Sequence, residues 1–175
     1  MVYILRDGRD VMWSYLKFRK GLGQYGEFNF TQFINPALPI YPGPLWHKHV
    51  HDWLTPESRP ENVQVLLIRY EDMLVNATRE LLRAAAFVGL PTDHARITWA
   101  VEQSAASSMR KIEQTKGAGF FEKKYSKGIR SDFKFVQGAS LGGWRAHFTE
   151  EDKRLFKSYA GTTLIEHGYA DDMDW

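Results

Sequence analysis

Cysteine is absent from the 175 residues, which excludes a disulfide framework and a cysteine-ligated zinc site and fits a reducing compartment. An excess of one charge is also missing. The 23 basic and 21 acidic residues leave a net charge of +2, too balanced for bulk binding to nucleic acid or an anionic membrane surface. No apolar run approaches the length of a membrane span, and Arg6 interrupts the first apolar stretch before a signal peptide could form. No Gly-x-x-x-x-Gly-Lys-Ser/Thr phosphate loop occurs, and the glycine-rich turn from Gly21 to Gly26 lacks nucleotide-loop spacing, so it punctuates the end of a helix. A metal site has little support either. His47 and His51 share a helical face, but no Glu lies between them and no third ligand is signalled nearby, which reads as a solvated face. The expectation is a soluble, cytoplasmic protein with no metal, no nucleic-acid partner and no membrane partner.

What is present is globular: 43% hydrophobic and 14% aromatic residues are enough for a single domain over 1–175 with a real core. Val2 to Leu5 and Val63 to Ile68 are apolar runs without alternation, as expected of strands buried on both faces of a parallel sheet. A right-handed crossover would make them parallel, with Arg6 and Tyr70 at the same edge. Between and after them lie helical patterns. One follows Asp7, a capping residue, with Asp10 favouring the positive end of the dipole and a stripe of Val11, Tyr15 and Phe18. Others span Phe28 to Ile34, Leu45 to Leu54 (Trp46, Val50, Trp53 and Leu54 on one face), and Asn76 to Val88 with Leu81, Leu82, Ala85 and Val88 inward. Asp93 to Arg110 reads as one helix, and Thr149 to Ile165 as a closing helix capped by Thr149. Asn35 to Pro44 carries four prolines and reads as an irregular exposed connection, and Gly117 to Phe135 as a surface loop. A strand that begins at residue 2, with only one other strand candidate, points to the carboxyl-terminal portion of a larger α/β domain or to a short version of such a fold.

The junction after the first strand carries the chemistry. Ligands of open parallel sheets bind outside the carboxyl ends of the strands. The Arg6 guanidinium offers a planar fork of donors there, and Ser14, about two helical turns on, offers a neutral hydroxyl; together they suit a phosphate. An Arg at a strand end and a Ser in a helix are also common without a ligand, so the chemistry alone leaves both readings open.

The segment Leu5-Arg6-Asp7-Gly8-Arg9-Asp10-Val11-Met12-Trp13-Ser14-Tyr15 resembles the 3′-phosphate motif of sulfotransferases that use 3′-phosphoadenosine 5′-phosphosulfate (PAPS), Arg-Asn-Pro-Arg-Asp-Val-x-x-Ser-Tyr, with Gly8 in place of Pro. Trp46-x-x-His49-Val50-x-x-Trp53 is similar to the family's Trp-Tyr-x-His-Val-x-x-Trp, and Arg69-Tyr70-Glu71-Asp72-Met73 to its Tyr-Glu-Asp-Leu. Ser104 to Arg110 resembles Thr-Ser-Phe-x-x-Met-Lys with Ser104 and Met109 in register, and Val136 to Thr149 resembles Arg-Lys-Gly-x-x-Gly-Asp-Trp-Lys-x-x-Phe-Thr, with Gly138 at the first glycine and one extra residue before Gly142-Gly143-Trp144. The resemblance implies a three-layer, parallel-sheet, P-loop-NTPase-like sulfotransferase fold lacking its amino-terminal half. It further implies PAPS as donor, with Arg6 and Ser14 on the 3′-phosphate, Tyr70 at the adenine, Ser104 and Gly138 elsewhere in the donor site, and His49 lining a pocket for a small-molecule acceptor.

The departures are specific. Ala106 replaces the aromatic that covers the adenine, a loss of roughly 1–3 kcal/mol on the scale of base stacking. Val136 and Gln137 replace the Arg-Lys pair that clamps the 3′-phosphate, and the dimer motif Lys-x-x-x-Thr-Val-x-x-x-Glu is not kept, with Glu150 for Val and Arg154 for the closing Glu. The family's Lys-Ser-Gly-Thr-Thr loop and the His that acts as base are not in these residues. The implied enzyme is therefore a sulfotransferase acting on a hydroxyl or amine, with this chain alone incomplete or inactive and prone to self-association at open strand edges. The alternatives are a non-catalytic nucleotide-binding or scaffold domain derived from that fold, and a nucleotide kinase, which the missing phosphate loop disfavours.

Overall fold

The computed structural model describes residues 1–38, 45–116, 133–136 and 141–175. The described elements are β1 (Val2–Leu5), α1 (Gly8–Gly21), α2 (Phe30–Ile34), α3 (Trp46–Leu54), a 3-10 turn (Pro56–Ser58), β2 (Leu66–Arg69), α4 (Tyr70–Val75), α5 (Ala77–Phe87), α6 (His94–Ser104), α7 (Ala106–Lys116), a 3-10 turn (Gly143–Ala146) and α8 (Glu150–Glu166). They fall into two compact units, one of Met1–Leu5, Gly21–Gln24 and Gln64–Ser140, the other of Arg6–Lys20, Tyr25–Val63 and Leu141–Trp175.

The first unit holds the sheet. β1 and β2 pair in parallel with Val2 opposite Leu66 and Leu5 opposite Arg69, so Arg6 and Tyr70 each follow the carboxyl end of a strand. β2 starts at Leu66 rather than Val63, because the Val63 N–H turns back to the Pro60 carbonyl at 3.0 Å instead of joining the ladder. Burial on both faces is not what the strands show: Tyr3, Leu5 and Ile68 are buried, but Ile4 is 55% and Leu67 36% exposed. Among the described residues the sheet has these two strands alone, and the Ile4 and Leu67 side chains, on opposite faces of it, are open to solvent.

The helices after β2 divide where side chains intervene. Asn76 ends α4, its N–H bonding the Asp72 carbonyl, and begins α5, its side chain accepting from Arg79 N at 3.0 Å. Val88 is exposed rather than inward because it is already the C-cap of α5, with Gly89 at φ +74° and Leu90 N–H closing on Ala85 O at 2.8 Å. The single helix expected from Asp93 to Arg110 is two, α6 and α7, broken at Ala105 (ψ 144°), where the Ser108 hydroxyl donates to Glu102 O at 2.8 Å.

The second unit is helical with an aromatic core. Phe33, Ile34, Val50, Phe156 and Leu164 are fully buried, and Phe148 stands 4.8 Å from Phe30 and 5.9 Å from Phe156 between ring centroids. Capping boxes start α2 (Asn29 with Gln32) and α8 (Thr149 with Asp152), and buried Asp152 also accepts from Thr31 Oγ1 at 2.6 Å, which ties the two helix starts together. The Tyr159 hydroxyl donates to Ile34 O at 2.9 Å. Along α1 the buried side chains are Arg9, Asp10, Met12 and Leu16, while Val11, Tyr15 and Phe18 are only partly covered, so the inward face is displaced from the expected stripe. Gly8 packs under Trp46: an added Cβ would lie 2.5 Å from its ring, so this close approach calls for glycine at that position.

Candidate functional site

The site is built from the start of α1. Asp7 is its N-cap, with a side-chain oxygen accepting from Arg9 N at 2.9 Å and its carbonyl accepting from Val11 N at 3.0 Å, as its residue type and place in the sequence lead one to expect. Arg6 precedes the cap, 20% exposed, with Nη2 at 3.7 Å from Asp10 Oδ2. Ser14 lies farther along the same helix and is partly exposed. Arg6 and Ser14 therefore share one compact unit, Arg6 just before α1 and Ser14 at the middle of that helix.

Two residues between them do work that sequence reasoning missed. Arg9 is 1% exposed. Its Nε lies 2.9 and 3.1 Å and its Nη2 2.8 Å from the Asp7 carboxylate, and Nη2 donates to Tyr169 O at 2.5 Å. The guanidinium carbon lies 4.0 Å from the ring centroid of Trp144 and 4.3 Å from that of Trp175, in the corner of two indoles that meet edge to face with centroids 5.4 Å apart. Asp10, 3% exposed, accepts Gly142 N–H at 2.8 Å on Oδ2 and Trp144 N–H at 3.0 Å on Oδ1. It does more than favour the helix dipole: it fastens a turn more than a hundred residues away. The available signal was the pairing of Asp7, Arg9 and Asp10 at one helix start beside a tryptophan-rich carboxyl end, but nothing local says which charges are buried.

The other sequence candidates are placed as follows. Tyr70 opens α4 directly after β2 and is partly buried, in the first unit. Ser104 ends α6 of the same unit, exposed, its hydroxyl turned onto the Ala100 and Val101 carbonyls of its own helix at 2.8 and 3.2 Å. His49 is exposed on α3 of the second unit. Gly138 and Gln137 lie outside the described residues, as do most of the 117–135 segment and the prolines of 39–44; Val136 is described and partly buried. On α3, His51 bonds the Thr55 and Ser58 hydroxyls, each at 3.0 Å, which gives it a local role. Burial, with the neighbouring Lys48 charge, lowers the His47 pKa from its ordinary value. Among the described residues no group of three or more His, Asp or Glu side chains is arranged to hold a metal ion, and no helix is long and apolar enough to cross a membrane.

Comparison with known proteins supplies the context for this arrangement. The sulfotransferase domain family matches residues 1–168. Human sulfotransferase 1C2 is 24% identical over 161 residues, covering 89% of this chain and 51% of its own length. Zebrafish cytosolic sulfotransferase 1 is 27% identical over 166 residues, covering 89% and 50%. Among solved structures, retinol dehydratase in complex with androsterone and the inactive cofactor PAP superposes with a TM-score of 0.71 at 22% identity, over 94% of this chain and 47% of that one. Mouse sulfotransferase SULT7A1 complexed with PAP gives 0.64 at 19% identity, over 94% and 62%. The chain spans about half the length of the curated relatives it matches, and over that span its α/β fold is that of part of a sulfotransferase. With the family matched across nearly all of its residues and the Arg6 to Ser14 segment folded as a strand-to-helix junction, the chain belongs to the sulfotransferase domain family.

Proposed function

We propose that this chain forms the 3′-phosphate-binding portion of a cytoplasmic, PAPS-dependent sulfotransferase that transfers a sulfuryl group to a hydroxyl or amine of a small molecule. The observation that carries the reading is the α1 start. A guanidinium that is accessible but oriented by a buried carboxylate precedes a partly exposed Ser hydroxyl on the same helix, the donor set that a phosphate monoester takes. The two structural neighbours named with PAP support the nucleotide class. When bound, the donor supplies the activated sulfuryl group. Arg6 and Ser14 bind and orient its 3′-phosphate, and His49 lines the acceptor side. No Lys-Ser-Gly-Thr-Thr loop occurs in these 175 residues, so groups for the 5′-phosphosulfate are not assigned to them. A second reading, a nucleotide-binding scaffold without catalysis, is favoured by Val136 in place of a cation and Ala106 in place of an aromatic.

Calorimetry with adenosine 3′,5′-bisphosphate and adenosine 5′-monophosphate tests the donor reading. The bisphosphate should bind in the high micromolar range with about a tenfold preference, equivalent to about 1.4 kcal/mol, because few charged hydrogen bonds are available to it. Arg6→Ala should remove the preference and His47→Ala should leave it. Equal affinities, or a preference that survives Arg6→Ala, would refute the assignment. Sulfate transfer by a chain carrying the upstream half found in the relatives, weakened by Arg6→Ala, separates the enzyme from the scaffold.

A further inference from the structure

We propose that Asp10 is a positioning residue that couples occupancy of the Arg6 fork to the conformation of the Gly142–Trp144 turn. The inference rests on the donor-site reading and deepens it. A carboxylate beside a phosphate-binding Arg is at first sight a liability, since it repels the anion the Arg is there to attract. Here that charge is already stabilised from the other side: Gly142 N–H and Trp144 N–H donate to Oδ2 and Oδ1 at 2.8 and 3.0 Å. The Arg6 contact, 3.7 Å from Nη2 to Oδ2, is a charge contact outside hydrogen-bond range, so Asp10 orients the guanidinium without taking a hydrogen bond from it.

The turn at the other end is one that needs holding. Gly142 stands at φ +67°, leading into the 3-10 turn Gly143–Ala146, and the buried Trp144 ring packs on the Arg9 guanidinium. Arg9 and Asp10, adjacent on α1, thus grip the same turn by ring and by backbone. An anion on Arg6 draws the guanidinium's field partly away from Asp10, and the carboxylate then leans more on the two amides. The turn's amides and the phosphate are linked through one carboxylate, and the coupling is reciprocal.

The test uses the 175-residue chain. In the wild type, amide exchange at Gly142 and Trp144 should slow several-fold on saturation with adenosine 3′,5′-bisphosphate and stay unchanged with adenosine 5′-monophosphate. In Asp10→Asn, shown to be folded by cooperative unfolding, the roughly tenfold nucleotide preference should shrink to within about twofold through weaker bisphosphate binding, with 5′-monophosphate binding unchanged. If Asp10 were merely a repelling neighbour, Asp10→Asn would tighten bisphosphate binding. Tighter or unchanged binding overturns the proposal, as does wild-type exchange that ignores the bisphosphate, a measurement that does not depend on the variant folding. A wild-type preference that Arg6→Ala abolishes and Asp10→Asn retains would sink this coupling alone, whereas no wild-type preference sinks the donor reading and the coupling together.

Discussion

Replacing Arg9 by Met tests whether the brace at the start of α1 is what holds the helical unit together. Met keeps much of the apolar contact with Trp144 and Trp175 but removes the charge that lies 4.0 and 4.3 Å from their ring centroids. It also removes the fork on Asp7 and the 2.5 Å bond to Tyr169 O, and leaves the Asp7 carboxylate, 11% exposed, without the guanidinium. Deleting one partner of a buried ion pair costs about 3–5 kcal/mol, most of it from the uncompensated charge. That is a large share of the roughly 5–15 kcal/mol of stability usual for a domain. Urea unfolding at neutral pH, followed by tryptophan emission at low protein concentration, reads the loss directly, and the slope against urea should be unchanged. The double variant Asp7→Asn with Arg9→Met takes the charge away and keeps a capping oxygen, so it should recover at least about 2 kcal/mol of the loss. A single variant that costs less than about 1 kcal/mol, or a double variant no better than the single, would refute the reasoning.

Burial pushes Tyr3 up to about 12 from its ordinary 10.0. A raised folded value means the neutral ring is favoured, so this contribution is complete below pH 10 and lost as the pH climbs to about 12. Ultraviolet titration of tyrosinate should show a late component that disappears in Tyr3→Phe; its persistence would place the late group elsewhere. The exposed Ile4 on β1, 55% accessible, should make the chain self-associate through its strand edge, and Ile4→Lys should shift sedimentation toward the monomer. A wild-type chain that is monodisperse and monomeric at high concentration would contradict that.

Much of the local structure was legible because it is set by neighbours in sequence. Asp7 as a cap, Thr149 with Asp152 and Gly89 after α5 all depend on groups within a turn of one another. The parallel pairing of two apolar runs followed from handedness. The failures have equally physical causes. A hydrophobic period continues through Ala105, but the Ser108 hydroxyl and the Glu102 carbonyl make a break that periodicity cannot show. The buried stripe of α1 is displaced to Arg9, Met12 and Leu16 because Arg9 is drawn in by Tyr169, Trp144 and Trp175, 135 residues or more away. A guanidinium with a carboxylate and two indoles around it is as buried as a leucine, and its own sequence neighbourhood does not reveal it.

This concealed brace bears on the proposed site more than the visible motif does. With Val136 in place of one cation of the family's clamp, a 3′-phosphate on this chain depends on fewer charges, and the affinity left depends on how little ordering its ligands still need when the nucleotide arrives. Arg6 is the long side chain in that set and has the most freedom to lose. Asp10 faces it at 3.7 Å; Asp10 is held by the amides of Gly142 and Trp144; and the Trp144 ring packs in turn against the Arg9 guanidinium. Asp10, Trp144 and Arg9 are buried in that chain, and Arg6 and Gly142 are partly so. The buried charges of α1 thus stabilise the helix start and keep the partly exposed Arg6 guanidinium in register for an anion, so loss of Arg9 should weaken bisphosphate binding even in conditions where the chain remains folded.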